Sequence, residues 1–321
     1  MDPIPKKIVM WALTYKCNAK CKYCYLRDYD QPHDDLSETQ IIEVSKKIAT
    51  NPQWKPDAIW LTGGEPSLLK ILPYLVDTFE SLGISTVINT NGIMSKDTLD
   101  KILIKSPSGV IVSLDEYSDA MQNDRFILPS TVIEKLSYIL SNKSEKTLLG
   151  TAIVISKSNI SRLFDYAYTM REHGVQYVSL NPLFQEGDHD VSYANELVSQ
   201  VERIKKEIDI QLPSDFYLDF LFHHLAGTQG HEYNCPALSN YYFISPWGYI
   251  YPCSNEIWQK NQGFTFDLLN SDNWYTELQQ EIIDQKFNYR TNHSECFSNR
   301  CAGCWKLYYD TIFTGELKYE K

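Results

Sequence analysis

No cysteine occurs between Cys24 and Cys235, although the 321-residue chain holds eight cysteines. They form two groups, Cys17, Cys21 and Cys24 near the start and Cys235, Cys253, Cys296, Cys301 and Cys304 in the last third. Cysteines that only fill a core would be spread more evenly along the chain. Because no secretory signal precedes them, the grouping argues against a disulfide framework and favours two metal or redox sites.

Long apolar runs and an excess of positive charge are also missing. No stretch approaches the ~20 apolar residues of a membrane helix, so we expect no membrane partner. The 41 acidic residues outnumber the 30 basic ones and give a net charge of −11, the wrong sign for general affinity to nucleic acid. The first ten residues lack the apolar region of a secretory signal, and we therefore expect a cytoplasmic protein.

Between the two cysteine groups, short apolar segments alternate with helical patterns. The expected strands are 11–14, 58–62, 85–89, 109–114, 148–155 and 177–181. One helical pattern follows a predicted capping box of Ser37 and Gln40. Apolar strands that alternate with helices indicate a parallel sheet covered by helices. Since about six βα units are fewer than the eight of a closed barrel, the prediction is an α/β fold with a partial (β/α)6 TIM-like barrel.

The first cysteine group directly follows the first strand, and GGEP (63–66) directly follows the second. The carboxyl ends of parallel strands carry the chemistry of such folds, so both loops are expected at one mouth. Thiolates select soft metals such as zinc and iron–sulfur clusters. A [4Fe–4S] cluster normally takes four cysteines, and a cluster held by three would leave one iron open to a small molecule.

This pattern resembles the radical S-adenosylmethionine (SAM) superfamily. The resemblance rests on the C-x3-C-x2-C spacing, on the aromatic Tyr23 before its last cysteine, and on GGEP, which is similar to the family's GGE motif. The resemblance implies that Cys17, Cys21 and Cys24 hold a [4Fe–4S] cluster and that SAM chelates the fourth iron. Reductive cleavage of SAM would give a 5′-deoxyadenosyl radical, which takes a hydrogen atom from the substrate.

The resemblance also implies where SAM binds. The residues concerned are Tyr23, Gly63, Gly64, Glu65, Pro66, Asn91, Ser113, Asp115 and Arg125. The GGEP loop would hold the amino group of SAM, the ends of strands three and four would contact its ribose and carboxylate, and Arg125 is a candidate partner for that carboxylate. An electron donor such as flavodoxin or ferredoxin is implied as a partner.

The second cysteine group resembles the twitch domain of these enzymes, a shortened SPASM domain. The resemblance implies that Cys235, Cys253, Cys301 and Cys304 are the ligands of one auxiliary [4Fe–4S] cluster, which makes two clusters in all. The predicted domains are a barrel over residues 1–225 and a small cysteine-rich iron–sulfur domain over residues 226–321. A zinc ribbon made from the same four cysteines is the alternative.

Cys296 is left over from this ligand set and has three interpretations. It is a buried hydrophobe, a cluster ligand in place of Cys301, or a catalytic thiol that donates a hydrogen atom to a substrate radical. The third role would invert a stereocentre, since hydrogen leaves one face and returns to the other.

The expected function is that of a radical SAM oxidoreductase or isomerase. Modification of a ribosomally made peptide, by epimerisation or cross-linking, is placed first. Dehydrogenation or epimerisation of a small aminocyclitol or sugar is the alternative. Because the barrel is expected to begin near residue 8, we expect no fused N-terminal peptide-recognition domain, which counts mildly against the peptide, although such a domain can be a separate protein. A non-catalytic iron–sulfur or zinc-binding protein is the alternative from another class.

Overall fold

The computed structural model describes residues 7–24, 33–121, 124–183, 190–228, 238, 240–252 and 265–292. The strands are β1 (Ile8–Ala12), β2 (Ala58–Thr62), β3 (Ser85–Thr90), β4 (Gly109–Ser113), β5 (Leu148–Ile155), β6 (Tyr177–Pro182), β7 (Tyr241–Ile244), β8 (Tyr249–Tyr251) and β9 (Phe266–Asp267). The helices are α1 (Glu38–Thr50), α2 (Leu72–Ser81), α3 (Lys96–Leu103), α4 (Pro129–Asn142), α5 (Leu163–Glu172), α6 (Val191–Glu207), α7 (Asp215–Ala226) and α8 (Trp274–Asn292). Short 3₁₀ turns lie at Pro66–Leu68 and Ile160–Arg162.

The described strands form one sheet in the order β6-β5-β4-β3-β2-β1-β7-β8-β9. Pairing is parallel from β6 through β1 to β7, and antiparallel from β7 to β8 and from β8 to β9. This is an α/β fold with a predominantly parallel sheet, consistent with the expected partial TIM-like barrel. The carboxyl ends of β1 to β7 therefore lie on one side.

Two apolar layers cover the first strand. Val9 and Trp11 pack in a core that includes residues of α1 and α2. Ile8 and Met10, whose side chains alternate with these, belong to a second core that includes residues of α4, α5 and α6. Because both faces are buried, a slip of one residue would exchange the two apolar sets. The register of β1, and hence the position of the loop that follows it, is fixed by packing.

Local expectations compare closely with the structure. The capping box is confirmed, because Ser37 and Gln40 exchange hydrogen bonds between side chain and backbone. The predicted first strand, 11–14, starts three residues late. The apolar run continues past the paired segment, and Leu13 N donates to Thr62 O at 2.9 Å as the last bond before the loop.

The β7–β8 hairpin and α8 pack against the outer layer. Trp54 makes edge contacts with Tyr242 and Trp274, at ring-centroid distances of 5.1 and 5.0 Å.

The second cysteine group, Cys235, Cys253, Cys296, Cys301 and Cys304, lies outside the described residues. The iron–sulfur domain and the boundary between residues 225 and 226 stay predictions. None of the helices in the described ranges has the length and apolarity to span a bilayer.

Candidate active site

The cysteine loop lies at the carboxyl end of β1. Cys17 is exposed, Cys21 and Cys24 are half-buried, and all three are free thiols. Backbone N–H groups order the loop: Cys24 N donates to Cys21 O at 3.3 Å, and Ala19 N donates to Cys17 Sγ at 3.3 Å. Burial raises the pKa of the Cys17 and Cys21 thiols, while the charge of Arg125 acts in the opposite direction on the pKa of Cys21.

The donor set of three free thiols fits an iron–sulfur cluster. The three thiols are close enough to influence one another's charge. In the ranges the structure describes, however, no three Cys, His, Asp or Glu side chains are gathered as ligands of one metal ion. A single zinc ion draws its ligands onto one centre, whereas each cysteine of a [4Fe–4S] cluster binds a different iron. Three free thiols on one loop can serve as three such ligands.

The GGEP loop is joined to the cysteine loop through backbone. Gly64 N donates to Thr14 O at 2.7 Å, and Glu65 N donates to Lys16 O at 2.9 Å. A Cβ at Gly63 would lie 2.4 Å from Thr14 O, and one at Gly64 would lie 2.3 Å from Lys16 O. Gly63 also has a φ of +127°, which is accessible mainly to glycine. The two glycines therefore allow the loops after β1 and β2 to touch.

Glu65 is fully buried and is committed to the protein backbone around it. Its carboxylate accepts hydrogen bonds from Ser67 N (3.0 Å), Thr90 Oγ1 (2.8 Å) and Asn91 N (2.7 Å). Burial raises its pKa, and these three donors act against that rise. The side chain thus links the end of β2 to the end of β3, and Pro66 begins the 3₁₀ turn that it caps.

Asn91, directly after β3, connects that strand to the cysteine loop. Its Nδ2 donates to Asn18 Oδ1 at 2.8 Å and lies 3.6 Å from Cys17 Sγ. Its Oδ1 accepts from Ile93 N at 2.7 Å. The amide therefore orients a hydrogen-bond donor towards the first thiol, and such donors stabilise the thiolate form.

Tyr23, which is half-buried, and the buried Asp115 and Arg125 form one group. Arg125 Nε lies 2.9 Å from Asp115 Oδ2, which also accepts from the Tyr23 hydroxyl. The Arg125 guanidinium lies 5.6 Å from the centre of the Tyr23 ring. Burial alone would lower the pKa of Arg125, but Asp115 raises it, and burial and Asp115 raise the pKa of Tyr23. Asp115 and Arg125, predicted separately as SAM contacts, thus neutralise each other here.

The structure brings together most of the predicted SAM-site residues. Tyr23, the GGEP loop, Asn91, Asp115 and Arg125 all contact the cysteine loop or a residue bonded to it. Ser113, the last residue of β4, is buried at the same end of the sheet. Contacts with SAM itself stay predictions.

Asp35 and Thr14 are parts of the site that sequence reasoning missed. Asp35 Oδ2 accepts from Thr14 Oγ1 at 2.6 Å, and both carboxylate oxygens approach Tyr15 N at 3.2 to 3.3 Å. Thr14 Oγ1 in turn accepts from Lys16 N at 3.0 Å. No motif in the sequence marks Asp35. Its position shortly before the predicted capping box was the only signal available.

Comparison with known families identifies this part of the chain. Residues 11–163 match the family model described as "Radical SAM superfamily", and the match contains the three cysteines and GGEP. Residues 11–163 are thus similar to the domain that defines this superfamily. Members of this family use SAM and a [4Fe–4S] cluster, which agrees with the donor set on the loop after β1.

Curated relatives of the radical SAM domain carry several different names. The chain is 29% identical over 206 residues to the GTP 3′,8-cyclase of Chlorobaculum tepidum, covering 61% of this chain and 59% of that protein. It is 28% identical over 255 residues to the S-adenosylmethionine-dependent nucleotide dehydratase of Lacinutrix mariniflava, covering 72% and 52%. The chain spans about half the length of the curated relatives it matches.

Solved structures share the fold over most of the chain. Streptococcus suis SuiB bound to the precursor peptide SuiA superposes with a TM-score of 0.68 at 17% identity, covering 94% of this chain and 72% of that one. The enzyme anSMEcpe, solved with AdoMet and the Kp18Cys peptide, has a TM-score of 0.64 at 12% identity and coverages of 93% and 89%. At these identities the likeness concerns the fold.

Proposed function

We propose that this protein is a radical SAM enzyme that cleaves SAM reductively and removes a hydrogen atom from its substrate. The observation that carries the proposal is the contact between two loops. Three free thiols follow β1, and the Gly-Gly-Glu loop after β2 is hydrogen-bonded to the same segment. A zinc-binding or carrier protein would have no need for a glycine loop held against an incomplete ligand set.

The residues of the site have distinct tasks in this proposal. Cys17, Cys21 and Cys24 would hold the [4Fe–4S] cluster, and Asn91 would stabilise the first thiolate through its amide. When bound, cluster and SAM supply the chemistry, in which one electron breaks a sulfonium bond and yields the 5′-deoxyadenosyl radical. The Gly63 and Gly64 backbone would receive the amino group of SAM, and Glu65 keeps that backbone in place. Arg125, paired with Asp115, lies close enough to the loop for its charge to favour the thiolate of Cys21.

The first experiment quantifies iron, sulfide and zinc in anaerobically reconstituted full-length protein. We expect about eight iron atoms per chain for two clusters and about four in a Cys17/Cys21/Cys24→Ala variant. With dithionite and SAM, the wild type should form 5′-deoxyadenosine and the triple variant should not. A Cys235/Cys253/Cys301/Cys304→Ala variant is the matched control, because it removes thiols of the other group and should retain the N-terminal cluster. Zinc in place of iron at the N-terminal site, or iron there without cleavage of SAM, would refute the radical mechanism.

The auxiliary site is part of the same proposal. Cys235, Cys253, Cys301 and Cys304 would enclose a second [4Fe–4S] cluster with four protein ligands, leaving no open iron. The metal analysis of the two variants tests this separately. If the four-cysteine variant loses zinc and no iron, the second site is a zinc ribbon.

For the substrate, the proposal is a ribosomally made peptide. The fold is shared with SuiB and anSMEcpe, both solved with peptides, and this likeness supports a peptide as the substrate. Some curated relatives are named for reactions of nucleotides, and others for activation of a glycyl-radical enzyme or for synthesis of haem compounds, so the sequence relationship does not favour one substrate class. Transfer of hydrogen from an aminocyclitol or a sugar into 5′-deoxyadenosine, with no such transfer from peptides, would favour the small-molecule substrate instead.

Cys296 is proposed as the hydrogen-atom donor if the reaction is an epimerisation. Its thiol would give a hydrogen atom to the substrate carbon radical, and the remaining thiyl would take one electron from the reductant and one proton from solvent. In D₂O the inverted carbon should then carry deuterium. A Cys296→Ala variant should still form 5′-deoxyadenosine and yield no inverted product. Unchanged inversion in this variant would assign the cysteine to a structural role.

A further inference from the structure

A groove of about 430 Å³ lies between helices α6 and α7. The two helices are antiparallel. At one end Asp190 N, just before α6, donates to Leu225 O near the end of α7 at 2.9 Å. At the other end Lys205 of α6 pairs with Asp215 of α7. Contacts at both ends thus hold the helices together, and the groove lies between those contacts.

The floor of the groove is apolar. Leu197, Val201 and Leu218 line it and are 1%, 6% and 9% exposed. Two further apolar side chains border it closer to the solvent: Val198 is 37% exposed, and Phe222 is half-buried against the core. The volume is in the range of ordinary binding pockets. Apolar side chains of a partner can therefore enter between the two helices.

Carboxylates predominate along the rim of the groove. Glu202, Asp215 and Asp219 contribute three negative charges and Lys205 one positive charge, so these four residues carry a net charge of −2. Lys205 pairs with Asp215, and Asp219 Oδ1 lies 3.7 Å from His223 Nε2. An acidic rim around an apolar floor is complementary to a partner that is apolar on one face and basic beside it.

The length of the groove fits an α-helix. Its lining on α6 extends from Asn195 to Lys205, ten residues or about 15 Å along the helix axis. Apolar side chains at positions i, i+4 and i+7 of a docked helix span about 10 Å, and a helix laid in a groove is a common recognition mode. A second copy of this chain is a poorer occupant, because a two-fold contact would place one acidic rim against the other.

We propose that the groove between α6 and α7 is a docking site for a polypeptide helix that is apolar on one face and basic on its flanks. The apolar side chains of this helix contact Val198 and Phe222, and its lysines or arginines pair with Glu202 and Asp219. The end of the groove near Asp190 follows β6 and lies on the side of the sheet that carries the cysteine loop. The inference goes beyond the proposed function and does not depend on cleavage of SAM.

Binding is measured by fluorescence anisotropy between full-length reconstituted protein and a labelled synthetic peptide of about 14 residues. The peptide contains only leucine and lysine, with leucines at helical spacing on one face. A second peptide has glutamate in place of lysine and tests the sign of the charge. A third has the composition of the first but alternates leucine with lysine, and it tests the need for a helical apolar face.

Two variants of the protein alter the groove, and each has a matched control. Val198→Arg places a bulky cation over the floor, and Ile104→Arg makes the same change at a residue that is 78% exposed after α3. The double variant Glu202→Gln/Asp219→Asn neutralises two charges of the rim. Its control, Glu134→Gln/Glu172→Gln, removes two charges at exposed positions on α4 and α5.

At about 0.02 M salt we expect Val198→Arg to weaken binding of the leucine–lysine helix about tenfold, the rim variant about fivefold, and each control less than twofold. At about 0.5 M salt the effect of the rim variant should shrink to less than twofold, because exposed charges are then screened. The effect of Val198→Arg should persist, since the arginine also blocks the floor. Equal weakening by a variant and its control, equal binding of any of the three peptides, or no binding by the wild type would overturn the inference.

A contact between copies and a failure of the proposed function give different results. If sedimentation velocity shows a wild-type dimer that Val198→Arg dissociates, the groove is an interface between copies and the inference is wrong. Formation of 5′-deoxyadenosine with dithionite tests the radical chemistry without the peptide. Selective peptide binding without cleavage would support the docking site and refute the proposed function, whereas cleavage with unselective binding would refute the docking site alone.

Discussion

Replacing Gly64 with alanine tests the contact between the cysteine loop and the GGEP loop. The added Cβ would lie 2.3 Å from Lys16 O and 2.6 Å from Tyr15 O. Both are backbone atoms, so the loops must separate by about 1 Å to restore an ordinary contact. That movement strains the bonds from Gly64 N to Thr14 O and from Glu65 N to Lys16 O, each worth about 1 kcal/mol. Overpacking adds about 1–3 kcal/mol.

We therefore expect Gly64→Ala to lower the free energy of unfolding by about 2–4 kcal/mol. The assay is urea unfolding of the apo protein, in which the midpoint falls and the slope stays constant. Iron bound by the N-terminal site should fall as well. Gly83→Ala is the control, because a Cβ there has no neighbour within 4 Å and only its φ of +72° is unfavourable, at about 1–2 kcal/mol. Full iron binding and a loss below 1 kcal/mol for Gly64→Ala would refute the close contact.

Three further substitutions test the electrostatics of the site by urea midpoints. Burial raises the pKa of Glu65 above its ordinary value, so the wild type should lose stability as pH rises from about 4 through the raised pKa. Glu65→Gln should not show this pH-dependent loss of stability, and parallel pH profiles of the two proteins would contradict the expectation. Asp115→Ala removes the carboxylate paired with the buried charge of Arg125 and should lower the free energy of unfolding by about 3–5 kcal/mol. The double substitution Asp115→Ala/Arg125→Met should lower it less, and an equal loss would argue against the pairing. Asp35→Asn removes one hydrogen-bond acceptor that holds the start of the cysteine loop, and it should lower the free energy of unfolding by about 1–3 kcal/mol and reduce the amount of bound iron. Asp34→Asn, at the exposed neighbour, should lower the free energy of unfolding by less than about 0.5 kcal/mol, and equal effects would contradict this role of Asp35.

Much of the barrel follows from local sequence patterns. The strands at 58–62 and 148–155 coincide with β2 and β5, because apolar β-branched runs end where the chain meets turn residues. The capping box at Ser37 was predictable for the same reason, since its two partners lie three residues apart. The location of both motif loops at one mouth follows from parallel topology alone.

The hydrogen-bond partners inside the site were less accessible. Asp35 and Thr14 are distant in sequence, and only the folded loop brings them together. Asp115 and Arg125 were each assigned to SAM, because a sequence cannot reveal that two charged residues satisfy each other.

The neighbours of β1 have a consequence for the order of folding. β1 pairs with β2 on one side and with β7 on the other, where Ile8 aligns with Tyr241. The chain between β1 and β7 is long, and closing it into a loop costs entropy before the contacts between the two strands form, which slows folding of such topologies. During synthesis the first strand keeps one edge unpaired until the segment after residue 240 has left the ribosome. The ring of Tyr15, in the loop after β1, stacks on that of Trp247 at a centroid distance of 5.4 Å, so this contact of the loop also forms only after that segment has been synthesised.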